Sequence, residues 1–532
     1  MSLYCALASN SISFGYDGTI RPCCAVDTYF WPGQTRHQLK NYYNDVVKWV
    51  NNAELVSLRT KLLDTKYMTS FNEVQNEVAQ NLSHNSKIHW LINNQSKFCT
   101  LPWINLNTNT NGNLKLCCSI QENTFILNDD EIPFNFGYHN IEDIWNSSYM
   151  KLVRNNTKTN VNVLECEECY SIEKFSGHSP RIGQNKLWGD KLYTDNSLST
   201  VLNTVLEKDN SNNHLTQLPV SLELRLGNQC NLQCITCWGM SSSLLHQERS
   251  EYLDKNYLDS DSLSWLKHKW EKDRINVEST DVRNWFETDI FYNNFKKIAT
   301  NLRRLYTTGG EPTLIKANYK MFDMLLDANN TTCKIEFTSN MTSWNHSFYS
   351  KLEKFENVEI QMSIDGIGKV GEYIRYPTDF TKVRENIDKV VALSSTRPGW
   401  TINCYTVLQA LNFKQVMPIW SVLYMLSLKY NKNIGWWPIT LVHPNHLALH
   451  AIPYDIRENF IKQVTTQSKN FRISYEGQPN RFVISSHTFD TYKNAVLNSP
   501  YDETFNSQLK SFIEFNDKHR KLNGVELFKD II

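Results

Sequence analysis

The chain lacks an excess of charge of either sign: 55 lysines and arginines stand against 55 aspartates and glutamates. That balance gives no sign of a global electrostatic attraction to nucleic acid, although a local basic patch stays open. Its amino terminus lacks a basic segment followed by an apolar run, so no secretory signal is expected. No apolar run is long enough to span a membrane; the best, Val416 to Leu428, is too short and contains Pro418. Evenly spread cysteine pairs are missing too. The 13 cysteines gather in closely spaced groups, which argues for metal ligands over disulfides and for a reducing, cytoplasmic setting. The length is ample for a buried core and for about three or four domains.

What is present begins with Cys230-Asn-Leu-Gln-Cys234-Ile-Thr-Cys237. Three thiols crowded into so short a segment are poor core material but good metal ligands. Such clusters bind zinc as well as iron-sulfur clusters. A four-iron cubane normally takes four cysteines, so a compact trio would leave one iron open to another ligand.

The sequence on the carboxyl side alternates strand-like and helix-like patterns. Ser221 to Leu226 alternates apolar and polar residues as a half-buried strand does, and it ends at the cysteine segment. Further strands are expected at Asn301 to Tyr306, Lys334 to Phe337, Val358 to Met362, Trp400 to Leu408 and Ile434 to Val442, with helical patterns at Tyr319 to Leu326 and Val416 to Leu428. Such alternation predicts parallel βαβ units, whose sites gather at the C-terminal ends of the strands. The strand ends carry Gly309-Gly310-Glu311-Pro312, Ser339-Asn340 and Ser363-Ile-Asp365-Gly366. Adjacent glycines suit a backbone that must come close to a ligand, although Gly-Gly-Glu-Pro alone also reads as a tight turn.

Cys-x3-Cys-x2-Cys just after a strand, followed by Gly-Gly-Glu-Pro at the end of the next, resembles the radical S-adenosylmethionine (SAM) enzymes. The residue before the third cysteine, usually aromatic in that family, is Thr236 here, and Trp238 follows. The resemblance implies an α/β fold with a partial (β/α)6, TIM-like barrel. It further implies that Cys230, Cys234 and Cys237 hold a 4Fe-4S cluster and that SAM fills the open iron. One electron then cleaves SAM to methionine and a hydrogen-abstracting 5'-deoxyadenosyl radical, so an external one-electron reductant is needed. Carried over, Gly309, Gly310, Glu311 and Pro312 would face the methionine amine of SAM. Ser339, Asn340, Ser363 and Asp365 would contact its ribose and methionine parts, and Arg375 its carboxylate. A guanidinium fork matches a carboxylate, though an arginine solvated on a helix is an equal reading of Arg375.

A cysteine pattern also occurs twice ahead of this region. Cys5-x12-Gly18-x4-Cys23-Cys24 and Cys99-x12-Gly112-x4-Cys117-Cys118 share one spacing, and each predicts a hairpin turning at its glycine. Only the second copy is followed by Cys166-Glu-Glu-Cys169. This arrangement resembles the SPASM and twitch auxiliary-cluster domains, which implies a second 4Fe-4S cluster on Cys99, Cys117, Cys166 and Cys169. Zinc suits four cysteines equally well. In that family the auxiliary domain usually follows the barrel; here it precedes it. Cys5, Cys23 and Cys24 form an incomplete ligand set, read as a degenerate copy in preference to a further cluster.

The expected domains are therefore a degenerate SPASM/twitch-like repeat at 1–90, an auxiliary iron-sulfur domain at 91–212, a radical SAM core at 213–450 and a helical extension at 451–532. Residues 244–297 are expected to form a helical insertion. His443, His446 and His450 follow the last strand and are read as loop caps in preference to catalytic groups. Cys333 and Cys404 are expected to be core thiols. The resemblance points to a peptide or protein substrate, with a small molecule as the second reading. A catalytically silent iron-sulfur or zinc protein is the third.

Overall fold

The computed structural model describes residues 12–14, 20–22, 92, 96–176, 179–194, 213–279, 284–468 and 484–532. The chain divides into two compact units, one of Met1–Thr100 with Arg154–Asn213 and one of Leu101–Val153 with His214–Ile532. The break after Asn213 lies one residue from the expected limit after residue 212, and the breaks after Thr100 and Val153 match no expected limit.

In the first unit, β1 (Ile12–Phe14) pairs antiparallel with β2 (Ile20–Pro22), with Phe14 opposite Ile20. That is the hairpin expected around Gly18. The cysteines Cys5, Cys23 and Cys24 lie outside the described residues. Helices Glu167–Ser176 and Pro180–Thr194 follow. The segment 98–100 is clamped to the second of them: Arg181 Nη1 donates to the Phe98 carbonyl at 2.6 Å, Asn185 Nδ2 donates to it at 2.9 Å, and the Thr100 N–H donates to Asn185 Oδ1 at 2.9 Å.

The second unit is mixed α/β and is built on an eight-stranded sheet. Its strands are β3 (Asn105–Thr108), β4 (Leu114–Lys115), β5 (Ser221–Arg225), β6 (Arg304–Thr308), β7 (Lys334–Ser339), β8 (Val358–Ser363), β9 (Trp400–Leu408) and β10 (Ile434–Thr440). The order is β10-β9-β8-β7-β6-β5-β3-β4, and every neighbouring pair is parallel except β3 with β4. All six predicted strands are present. The one at Asn301 begins later, at Arg304, because residues up to Ala299 are helical and the Asn301 N–H still bonds back to Ile298. The second hairpin also forms, with Gly112 at φ +83°, but its first strand adds to the parallel sheet beside β5. Two-residue spacing alone gave no reason to expect that pairing.

Alternation along these strands separates two faces. Leu305, Ile335, Phe337, Ile360, Met362, Ile402 and Trp436 are buried on one face. Helices His346–Leu352 and Val416–Tyr430 pack there, Phe348 edge-on to Phe337 and Trp420 edge-on to Trp436. Pro418 is tolerated because it lies in the first turn, where the backbone N–H has no helical acceptor to lose. The opposite face is polar. Arg304 and Lys334 both bind Glu336, at 2.6 and 2.7 Å, Lys334 reaches Glu359 at 2.7 Å, and Tyr306, Thr338 and Gln361 join in one hydrogen-bond chain. Parallel strands covered by apolar layers on both sides read as continuous hydrophobic runs. Here the second face is polar, which is why the strands alternate. Among the described residues no helix is long and apolar enough to cross a membrane.

Candidate metal and cofactor site

Cys230, Cys234 and Cys237 occupy the loop that leaves β5, at the C-terminal end of a parallel strand. Backbone bonds hold this loop from both sides. The Gln233 N–H donates to the Tyr376 carbonyl at 2.5 Å and the Ile235 N–H to the Ile374 carbonyl at 3.0 Å, while the Cys237 N–H turns back to Cys234 at 3.0 Å. Side chains complete the frame. Ser242 Oγ donates to the Leu232 carbonyl at 2.6 Å, Asn228 Nδ2 to the Gly239 carbonyl at 3.0 Å, and Arg249 Nη2 to the Cys237 carbonyl at 3.0 Å. From the C-terminal helix Glu503–Arg520, Arg520 donates to the Gln233 carbonyl at 3.0 Å and pairs with Glu248.

Burial raises all three thiols above the usual cysteine range: Cys230 to about 11, Cys237 to about 12 with a further push from the charges of Cys234 and Cys230, and Cys234 in the same direction. Without a cation they are neutral thiols, so a metal that binds them must displace their protons. Arg375 acts against burial at Cys230 and Cys234, and Arg249 does so at Cys237. A set of soft sulfur donors beside fixed cations fits an iron-sulfur cluster or zinc. Among the described residues no three His, Cys, Asp or Glu side chains have already closed on a single-ion position.

The Gly309-Gly310 turn is packed against this loop. Gly309 has φ +81° and Gly310 φ +48°, a region that side-chain-bearing residues rarely adopt. A Cβ on Gly310 would stand 2.2 Å from the Gln229 carbonyl oxygen, and one on Gly309 would stand 2.9 Å from that of Gly227. The Glu311 N–H donates to the same Gln229 carbonyl at 2.8 Å. The two glycines thus let the turn close on the backbone just ahead of Cys230. Close approach was expected, but the approaching group is the cysteine loop itself.

Glu311 is 1% exposed and its carboxylate is occupied from within. It accepts from Thr313 Oγ1 at 2.8 Å, the Thr313 N–H at 3.3 Å, Ser339 Oγ at 2.9 Å and the Asn340 N–H at 2.8 Å. Burial raises its pKa, and these donors act in the opposite sense. Glu311 therefore ties the end of β6 to the end of β7. Pro312, buried beside it, opens a short 3-10 turn. Asn340 reaches the cysteine loop, with Nδ2 2.9 Å from Asn231 Oδ1 and 4.0 Å from Cys230 Sγ.

Arg375 is not solvated on a helix surface. It sits just beyond helix Lys369–Ile374, and its Nη2 lies 2.8 Å from Asp365 Oδ2, both side chains being largely buried. Burial disfavours the guanidinium charge, and the Asp365 carboxylate more than offsets that, so its pKa is raised. Asp365 also accepts the Val407 N–H at 2.7 Å, which fixes it to β9. Ser363, Asp365, Asn340 and Arg375 line one small cleft. The structure thus brings every residue read as a SAM contact to the ends of β6, β7 and β8, with Glu311, Asp365 and Arg375 already engaged with protein groups. Asn228, Asn231, Ser242, Arg249 and Arg520 carry no motif and were missed. For Arg249 and Arg520, placed 12 and 287 residues from their loop acceptors, no spacing signal exists.

Of the second cysteine group, Cys99 and Cys169 are buried and Cys166 half-buried within the first unit. Cys166 and Cys99 both act on Tyr170, whose hydroxyl is raised by burial and then by their charges. Cys166 itself is pushed up to about 12 by burial and then by Cys169. Cys117 follows β4 in the second unit, and its neighbour Cys118 lies close enough to Glu223 and Arg225 to feel both. Cys333 and Cys404 are fully buried core thiols, as expected. The histidines are less uniform. His443 Nδ1 lies 2.8 Å from Asn445 Oδ1, as a loop cap would, but His446 is buried with no hydrogen bond at either ring nitrogen. The capping expectation does not hold for His446.

No protein-family model matches the chain, and no curated protein matches it. Among solved structures, it is similar to Streptococcus suis SuiB bound to S-adenosylmethionine, at 11% identity over 69% of each chain with a TM-score of 0.30. It is also similar to Streptococcus suis SuiB bound to precursor peptide SuiA, at 11% identity over 59% of this chain and 66% of that one with a TM-score of 0.27. A structure of TYW1 with a lysine-pyruvate adduct matches at 12% identity over 45% of this chain and 70% of the other, with a TM-score of 0.23. Likenesses this weak say nothing about chemistry.

Proposed function

We propose that this chain is a radical SAM enzyme with a partial barrel core that modifies a peptide or protein. The observation that carries the reading is the placement of three thiols on the loop leaving β5, packed by backbone against the Gly309-Gly310 turn that ends β6. Cys230, Cys234 and Cys237 would hold a 4Fe-4S cluster. When bound, that cluster would supply one electron to SAM and so release methionine and a hydrogen-abstracting radical. The chain's own residues hold the thiols at a strand end and set Arg375 beside Cys230 and Cys234 as a fixed positive charge. Asn340, within reach of Cys230, and the cleft of Ser363, Asp365 and Arg375 would bind SAM. The likeness of Cys99, Cys117, Cys166 and Cys169 in spacing to SPASM and twitch proteins supports a second cluster and a peptide substrate. A small-molecule substrate is the second reading, since some twitch-containing proteins act on one.

The test is anaerobic reconstitution with iron and sulfide, reduction, and measurement of 5'-deoxyadenosine formed from SAM. Turnover by the unaltered chain and none by Cys234→Ala is expected. Iron binding without any SAM cleavage would instead favour a silent iron-sulfur protein.

A further inference from the structure

A cavity of about 430 Å³ opens on the outer flank of the cysteine loop, beside Cys237. Its size falls in the ~300–1,000 Å³ range of small-molecule sites. Trp238, Leu266, Trp270 and Phe512 supply apolar wall, and Arg249, Lys269 and Lys272 supply three cations against the single carboxylate of Asp273. Arg249 is engaged with that carboxylate at 3.2 Å and stacks over Trp270, its carbon 5.0 Å from the ring centre. Lys269 and Lys272, both exposed on helix Ser264–Glu278, have no carboxylate partner among the described residues.

His446 completes the lining. It is 2% exposed, held edge-on between Trp265 at 4.5 Å and Phe512 at 4.8 Å, and neither ring nitrogen has a hydrogen-bond partner. A buried polar atom left unpaired costs about 1–3 kcal/mol. A polar ring at the wall of a cavity, with both nitrogens unused, is a position for a ligand that completes its bonding. The Trp238 indole N–H is already given to Ser241 Oγ at 2.7 Å, so what Trp238 offers a ligand is apolar surface.

We propose that this cavity binds a carboxylate carried on a flat apolar body, with the anion at Lys269 and Lys272 and the body against Trp238, Trp270 and Phe512. The site stands apart from the SAM contacts named above, none of which lines it. On the peptide-modifying reading, and resting on it, the natural ligand is an acidic residue next to an aromatic one in the substrate. A free aromatic acid shares that chemistry.

The test is calorimetric titration of the full chain with 3-phenylpropionate and with its neutral amide, followed by N-acetyl-Phe-Asp-amide and N-acetyl-Phe-Asn-amide. The acid should bind about tenfold more tightly than its amide, the discrimination of a charge-assisted contact. Lys269→Gln/Lys272→Gln should abolish that preference without lowering thermal stability. A peptide pair that discriminates as strongly identifies a peptide source, and discrimination by the free acids alone identifies a small acid. Equal binding of acid and amide, no binding of either, an unaltered preference in the double variant, or displacement of the probe by SAM would each overturn the proposal. None of these readouts requires cleavage of SAM, so the site can fail while the radical reading stands, and the reverse.

Discussion

Arg520→Met tests whether the C-terminal helix is part of the cysteine loop's frame. The guanidinium is almost fully enclosed, donates to the Gln233 carbonyl and pairs with Glu248, whose side chain is 9% exposed. Burial opposes its charge, but Glu248 more than offsets this and raises its pKa. Removing one partner of such a buried pair costs about 3–5 kcal/mol. The lower end is expected, because Tyr252 Oη still donates to Glu248 at 3.1 Å. Removing both partners in Arg520→Met/Glu248→Leu should return stability to within about 1 kcal/mol of the original, since no buried charge is then stranded. The Gln233 carbonyl is left unpaired in both variants. That loss, about 1 kcal/mol, corresponds to roughly a fivefold change in the population of the ordered loop. Urea midpoints of the metal-free chain and iron affinity should therefore separate: the double variant recovers the former but not the latter. A single variant losing less than about 1 kcal/mol, or a double variant that regains iron affinity along with stability, would refute the reasoning.

Three further outcomes are expected. Gly310→Ala should lower iron retention at the Cys230 loop, because the new Cβ meets the Gln229 carbonyl at 2.2 Å; iron analysis beside SAM binding checks this, and SAM loss with full iron would contradict it. Asp365→Asn leaves an acceptor for the Val407 N–H but strands the buried Arg375, so a stability loss of about 3 kcal/mol in urea melts is expected, and a loss under about 1 kcal/mol would mean that Arg375 finds another anion. If the seven cysteines of the two proposed clusters are all ligands, about eight iron atoms per chain are expected after reconstitution; about four iron and one zinc by elemental analysis would remove the proposed second cluster.

The sequence carries the sheet because one face of these parallel strands is polar. Glu223, Glu336 and Glu359, buried or half-buried on that face, interrupt the apolar residues at a period of two and so mark each strand. The cysteine loop and the Gly-Gly turn are legible for a related reason: their chemistry is confined to adjacent residues. What spacing cannot carry is partner choice across the fold. Glu311 reads as a ligand contact with no sign that Ser339 and Asn340 also occupy it, and Arg375 reads equally as a carboxylate-binding group or a surface arginine, with no sign of Asp365 beside it. The hairpin strand β3 was legible as a hairpin but not as a neighbour of β5, since parallel pairing over 116 residues leaves no local trace.

These long-range partners make the cysteine loop and the residues proposed to contact SAM one mechanical unit. Gln233 and Ile235 hang by backbone bonds from Tyr376 and Ile374, flanking Arg375, whose guanidinium is anchored through Asp365 to β9. Glu311 joins the same unit from the other side, through Gln229 and Asn340, and Asn340 returns to Asn231 within the loop. A substitution at Arg375, Asp365 or Glu311 therefore shifts the cysteine loop as well as any SAM contact. Loss of turnover in such a variant does not by itself assign the residue to SAM. Iron content has to be measured beside SAM affinity, and only a variant that keeps the first while losing the second identifies a ligand contact. Ser363 is the best placed of the named residues for that comparison, since among the described residues its side chain makes no hydrogen bond to the cysteine loop and it still lines the cleft with Asp365 and Arg375. Ser363→Val should keep iron and weaken SAM binding by about fivefold, the worth of one hydrogen bond of about 1 kcal/mol; unchanged affinity would remove the end of β8 from the cofactor site.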